Sequence, residues 1–184
     1  MKGAKDDFNA VPGDLRFIEL TAGVSHICGI DAEHSAYCWG NGGGGRLGTG
    51  SSNVDPLPVQ GGLHFVSISA GSSHTCAVTT DAKAYCWGDN FKGELGVDFA
   101  WGDPGYAYSQ PFPTPIAVDL AIWEIYASEW EHTCAITMTG EAYCWGMDLS
   151  GQIGWGVQEG YRGRTTALRP GPTPVAPPIG LAVN

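Results

Sequence analysis

One 26-residue stretch occurs three times in this 184-residue chain, and that repetition constrains the fold more than any local signal. The middle copy runs from Gly71 to Gly96 and carries His74, Cys76, Ala84-Tyr85-Cys86-Trp87-Gly88, Gly93 and Leu95-Gly96. The first, Gly23 to Gly48, carries His26, Cys28, Ala36-Tyr37-Cys38-Trp39-Gly40, Gly45 and Leu47-Gly48. The third, Glu129 to Gly154, carries His132, Cys134, Ala142-Tyr143-Cys144-Trp145-Gly146, Gly151 and Ile153-Gly154. Successive copies start 48 and 58 residues apart, a period that marks a solenoid, propeller or array.

Within each copy two short runs alternate with period two and are separated by a turn, which predicts a β-hairpin. With Cys76 opposite Cys86, Thr79 faces Lys83 and the loop is Thr80-Asp81-Ala82. The last residue of such a three-residue loop adopts the left-handed conformation. Gly140 suits that position, whereas Ala82 and His34 take it at a cost of roughly 1 kcal/mol. Both faces of the hairpin are apolar, so both must be covered, as neighbouring blades cover one another in a radial array.

The pattern G-x-x-H-x-C-[AG]-[VI]-x5-A-Y-C-W-G-x4-G-x-[LI]-G resembles the regulator of chromosome condensation (RCC1) repeat, over roughly residues 10–184. The resemblance implies an all-β fold of RCC1-like β-propeller blades. It further implies that each unit opens with a Pro-x-Pro-Val strand: Pro56-Leu57-Pro58-Val59, Pro113-Thr114-Pro115-Ile116 and Pro172-Thr173-Pro174-Val175. The chain departs from the pattern at Glu129, which stands where the other copies have Gly23 and Gly71, and in lacking an Asp-Gly turn. It also has three units, where such a propeller has about seven. Residues 1–9 are expected to be disordered and 10–184 to form the repeat domain. The tail reads as the start of a fourth repeat, and Ala10 to Leu15 as a repeat without its opening strand. A partial propeller and a ring completed by oligomerisation both remain open.

All six cysteines (Cys28, Cys38, Cys76, Cys86, Cys134 and Cys144) fall at repeated positions and face one another in pairs in this register. Opposed strand residues have Cβ atoms about 4.5–5.5 Å apart, within reach of a disulfide. Three disulfides imply an oxidising compartment. Buried thiols and a His-x-Cys metal site are the alternatives, although the paired C-x2-C spacings common in zinc sites are absent. The histidines read as structural, bonding backbone where the strands begin.

A net charge of −10 argues against nucleic acid and against an anionic membrane surface. No apolar run is long enough to span a membrane. Residues 1–7 lack the apolar core of a signal peptide, so either the chain is not secreted or a signal has been trimmed. No nucleophile elbow, phosphate loop or H-E-x-x-H motif is present, so no catalytic residue, metal or cofactor is assigned. What remains is a binding surface. The two longest loops hold Phe99, Trp101, Tyr106, Tyr108, Trp155 and Tyr161, with Arg162 and Arg164, and such residues anchor interfaces. The expected function is a non-catalytic protein-interaction or ligand-binding module, extracellular or envelope-facing, with a protein or glycan partner. The alternatives are an intracellular regulator of a small GTPase and a fragment of a larger propeller enzyme.

Overall fold

The computed structural model describes residues 11, 14–97 and 108–154, together with the backbone of a short strand at 173–174. It contains three four-stranded antiparallel sheets, which we call blades one to three. Blade one is β1 (Phe17–Ala22), β2 (His26–Asp31), β3 (Ala36–Gly40) and β4 (Asn53–Pro58), paired in that order. Blade two is β5 (Phe65–Ala70), β6 (His74–Thr79), β7 (Ala84–Asp89) and β8 (Ser109–Pro115). Blade three is β9 (Ile122–Ala127), β10 (His132–Thr137), β11 (Ala142–Gly146) and β12 (Thr173–Pro174). The first strands of the blades, β1, β5 and β9, run side by side, and the later strands fan outward. Apart from one 3-10 turn at Gly43–Gly45, the described residues contain no helix.

The hairpin register follows from the alternation. Cys28 pairs with Cys38, Cys76 with Cys86 and Cys134 with Cys144. The Thr79 N–H donates to the Lys83 carbonyl at 2.8 Å, closing the predicted loop. His34, Ala82 and Gly140 take φ of 65°, 62° and 89°, so the left-handed position is where the sequence put it. All three cysteine pairs are disulfides, with Cα separations of 4.1–4.2 Å.

The Pro-x-Pro segments do not open units; they finish them. Pro58 pairs with Tyr37, Pro115 with Tyr85 and Pro174 with Tyr143, so each segment is the outer strand of the hairpin before it. Proline cannot donate to a ladder and so suits an edge strand. Each blade therefore has four strands, and Thr173–Pro174 completes blade three instead of starting a fourth.

A second correction concerns Glu129. The inner strands of blades two and three are offset by 57 residues (Phe65 to Ile122), whereas the histidines are offset by 58. Blade three thus has one extra residue in the turn entering β10. The Ser128 N–H bonds the His132 carbonyl at 2.9 Å, as Gly71 bonds His74 and Gly23 bonds His26. Ser128, not Glu129, occupies the glycine position.

The apolar cores lie between the blades. Cys28, Ile30, Cys38 and Leu47 of blade one pack on Phe65, Ile68, Ala77 and Trp87 of blade two. Cys76, Val78, Cys86 and Leu95 of blade two pack likewise on Ile122, Ile125, Ala135 and Trp145 of blade three. Non-reducing peptide mapping should recover only the pairs 28–38, 76–86 and 134–144. Removing one pair should cost about 2–3 kcal/mol in urea denaturation, because each closes a short loop.

Candidate functional site

Two features are built once per blade: a polar seam that joins one blade to the next, and an outward-facing side chain on the inner strand. The seam accounts for the histidines. His26 Nε2 lies 2.7 Å from Thr75 Oγ1 of the next blade, and that hydroxyl donates to the Arg46 carbonyl at 2.8 Å. His74 Nε2 lies 2.9 Å from Thr133 Oγ1, which donates to the Glu94 carbonyl at 2.7 Å. A hydroxyl has one proton to give, and here it goes to the carbonyl. The imidazole must therefore donate through Nε2–H, which leaves Nδ1 bare. The expectation that these histidines bond backbone at the strand start is thus replaced by a bond to the neighbouring blade.

Glycine is required where the blades meet. A Cβ on Gly23 would stand 2.2 Å from the Gly71 carbonyl oxygen, and one on Gly71 would stand 2.6 Å from that of Ser128. The Gly-x-Leu-Gly corner has a similar role. A Cβ on Gly48 would lie 2.8 Å from Trp87 Nε1, and one on Gly96 would lie 2.6 Å from Trp145 Nε1. Both corner glycines also hold positive φ, 68° and 64°. Further bonds tie inner strands together: Thr21 Oγ1 accepts from the Ala70 N–H at 3.1 Å, and Ser69 Oγ from the Ala127 N–H at 2.9 Å.

At the outward faces of the array this chemistry changes. Ile27 stands where Thr75 and Thr133 receive a histidine, and Leu20 is exposed where Ile68 and Ile125 are buried. On the far side, Ser128 replaces the close-approach glycine and bonds His132 Nδ1 at 2.9 Å. Tyr126 stands where the other blades have Thr21 and Ser69.

Burial sets the protonation of the seam. It pushes His26 down to about 4, helped by the Arg46 charge, and His74 down to about 3, helped by His26, His132 and Arg46. Burial also raises Glu94 to about 7; one of its carboxylate oxygens accepts from the Lys92 N–H, and Glu131 and Asp89 add repulsion. The two signs differ. The neutral histidines stabilise fully above pH 6.5, and that stability is lost as pH falls toward 3–4. Glu94 is tolerated while protonated, so its ionisation removes stability as pH rises from 4.5 through 7. Glu94→Gln should accordingly raise the melting temperature at pH 8 and leave it unchanged at pH 4.5. Gly71→Ala should cost about 1–3 kcal/mol by overpacking, read by urea denaturation.

The second feature is a β-bulge. In each inner strand the register skips one residue: Phe17 and Glu19 pair across but Ile18 does not, nor does Val66 between Phe65 and Ser67. In blade three the skipped residue is Trp123, between Ile122 and Glu124. A bulge re-aims a side chain. Ile18, Val66 and Trp123 are thereby turned outward, with relative exposures of 62%, 45% and 61%. Val66 and Trp123 line an open trough of about 650 Å³, together with Met138, Thr80, Glu19 and Glu124. The sequence reading missed this trough, although adjacent apolar residues at Phe17-Ile18, Phe65-Val66 and Ile122-Trp123 break the alternation that a regular strand shows.

Of the loop residues singled out from sequence, Phe99, Trp101, Tyr106, Trp155, Tyr161, Arg162 and Arg164 lie outside the described residues. Tyr108 is half-exposed and stacks on Phe91, with ring centroids 5.2 Å apart.

Four-stranded antiparallel sheets arranged about converging inner strands and packed face to face are β-propeller blades. Regulator of chromosome condensation (RCC1) repeat profiles match residues 33–78, and residues 65–94 and 127–152, so these segments are RCC1-like repeats. Human WBSCR16 superposes with a TM-score of 0.69 at 16% identity, covering 88% of this chain and 39% of that one. Prp20p from Saccharomyces cerevisiae superposes with a TM-score of 0.58 at 19% identity, covering 91% and 52%. Yeast RCC1 (Prp20) solved with Kap60 bound gives a TM-score of 0.55 at 18% identity, covering 91% and 51%. The chain thus spans about 39–52% of the length of these proteins, and at such identities the likeness is one of fold. No curated protein matches the sequence.

Proposed function

We propose that this chain is a non-catalytic protein-interaction module, extracellular or envelope-facing, that binds through its inner-strand trough. The observation that carries this is the bulge. Three blades turn an apolar side chain away from the core at the same register position, although the fold gains nothing from exposing Ile18, Val66 and Trp123. Val66 and Trp123 open into one trough with Met138, and exposed apolar side chains gathered in a concavity mark a binding surface. The buried titratable groups, His26, His74 and Glu94, lie in the seams and corners between blades and do not line the trough. The three disulfides favour an oxidising environment. The long loops, with Phe99, Trp101, Tyr106, Trp155, Tyr161, Arg162 and Arg164, are proposed as a second contact region of the same module.

Panning a phage-displayed random-peptide library on the purified protein tests this reading. Peptides should enrich on the wild type and be about tenfold weaker on Trp123→Ala, an exposed position whose loss leaves the fold intact. Enrichment that ignores Trp123, or catalysed nucleotide release from a small GTPase with no peptide binding, would contradict it.

A further inference from the structure

We infer that the trough selects an extended protein segment in which apolar side chains alternate with Lys or Arg. The inference rests on the interaction-module reading and adds the chemistry of the partner. In each blade the bulged apolar residue is followed by an oxygen-bearing one: Ile18-Glu19, Val66-Ser67 and Trp123-Glu124. The same motif that turns an apolar side chain outward therefore also sets an acceptor beside it. Glu19 and Glu124 both line the trough, next to Val66, Trp123 and Met138.

One of the two carboxylates is held in place, and the other sits beside a phenol. Glu19 Oε1 accepts from the Ile68 N–H of the next blade at 3.0 Å. The neighbouring Glu124 carboxylate holds the Tyr126 phenol above its usual range. Each keeps lone pairs for a second donor. Among the described residues no Lys or Arg lines the trough. Lys83, beside the lining residue Ala82, faces Asp81 at 3.5 Å, and Arg46 is occupied by the Ser72 carbonyl at 2.9 Å and by Asp89. On a chain of net charge −10, two carboxylates set among aliphatic side chains, with no Lys or Arg beside them among the described residues, call for a cation carried on an apolar segment.

Two further observations narrow the occupant. The N–H groups of Ile68, Ala70 and Ala127 on the inner edges are already taken by Glu19, Thr21 and Ser69. The segment is therefore read through its side chains, not added as a fifth strand. Trp123 with nearby hydroxyls is also compatible with a sugar face. However, Val66, Ile122 and Met138 put aliphatic carbon where a polyol needs hydrogen-bond partners.

Fluorescence anisotropy with labelled nonapeptides tests the inference, using alternating Leu and Lys against Leu/Gln and Leu/Glu counterparts at about 0.15 M salt. The Leu/Lys peptide should bind at least about tenfold more tightly than Leu/Gln, and Leu/Glu should not bind. Glu124→Gln should weaken the Leu/Lys peptide about fivefold and Trp123→Ala about tenfold. Asp55→Asn, on the outer strand β4, should leave it unchanged. Equal affinity for Leu/Gln and Leu/Lys would overturn the basic preference and leave the module reading standing. Equal losses from Asp55→Asn and Glu124→Gln would overturn it too, by showing diffuse attraction to an acidic surface. Binding indifferent to Trp123 would overturn both readings. Trp123-dependent binding of chitotriose with no peptide binding would replace the segment by a glycan.

Discussion

A histidine in one blade donates to a threonine hydroxyl in the next, and the hydroxyl in turn donates a hydrogen bond to a corner carbonyl of the first blade. That relay, from His26 through Thr75 to Arg46 and from His74 through Thr133 to Glu94, is the contact on which the arrangement of the blades depends. It is short, directional and buried, so it fixes the angle and height at which one sheet meets the next. An apolar interface by itself tolerates sliding. Around the relay the other repeated residues fall into place. Gly23 and Gly71 let the neighbouring backbone approach, Gly48 and Gly96 make room for a tryptophan, and the disulfides tighten the hairpin that carries the histidine. The motif is thus largely a description of how one blade holds the following one.

The candidate site follows from the same construction. Because His74 and Glu94 serve the seams, the chemistry left for a partner lies on the inner strands. There the bulge turns out Ile18, Val66 and Trp123, each followed by Glu or Ser. The residues that vary from blade to blade at this position give the trough its character. At the outward faces the seam code stops, with Ile27 in place of threonine and Ser128 in place of glycine.

Much of the fold was legible because it is local. Strict alternation around Cys76 and Cys86 sets the register, and the register sets the disulfide and the left-handed residue at Ala82. The outer strands fall in the unit before the one that the resemblance implies, and the edge preference of proline points to the arrangement found. The inserted residue before His132 escaped notice because counting back from the histidine lands on Glu129, and only backbone pairing reveals Ser128. The relay joins residues 49 and 59 positions apart, and no periodicity carries that information. The bulges did leave a trace, in paired apolar residues at the start of each inner strand.

Nitrogen-15 spectra of the imidazole rings test the relay most directly. The account predicts that His26 and His74 hold the Nε2–H tautomer and stay neutral down to about pH 4, with an Nε2–H proton slow enough in exchange to be observed. If His74 instead titrated near the free value of about 6.5, or carried its proton on Nδ1, the hydroxyl could not be bridging histidine to carbonyl, and the angle between the blades would have to be set by apolar packing and the inner-strand bonds of Thr21 and Ser69.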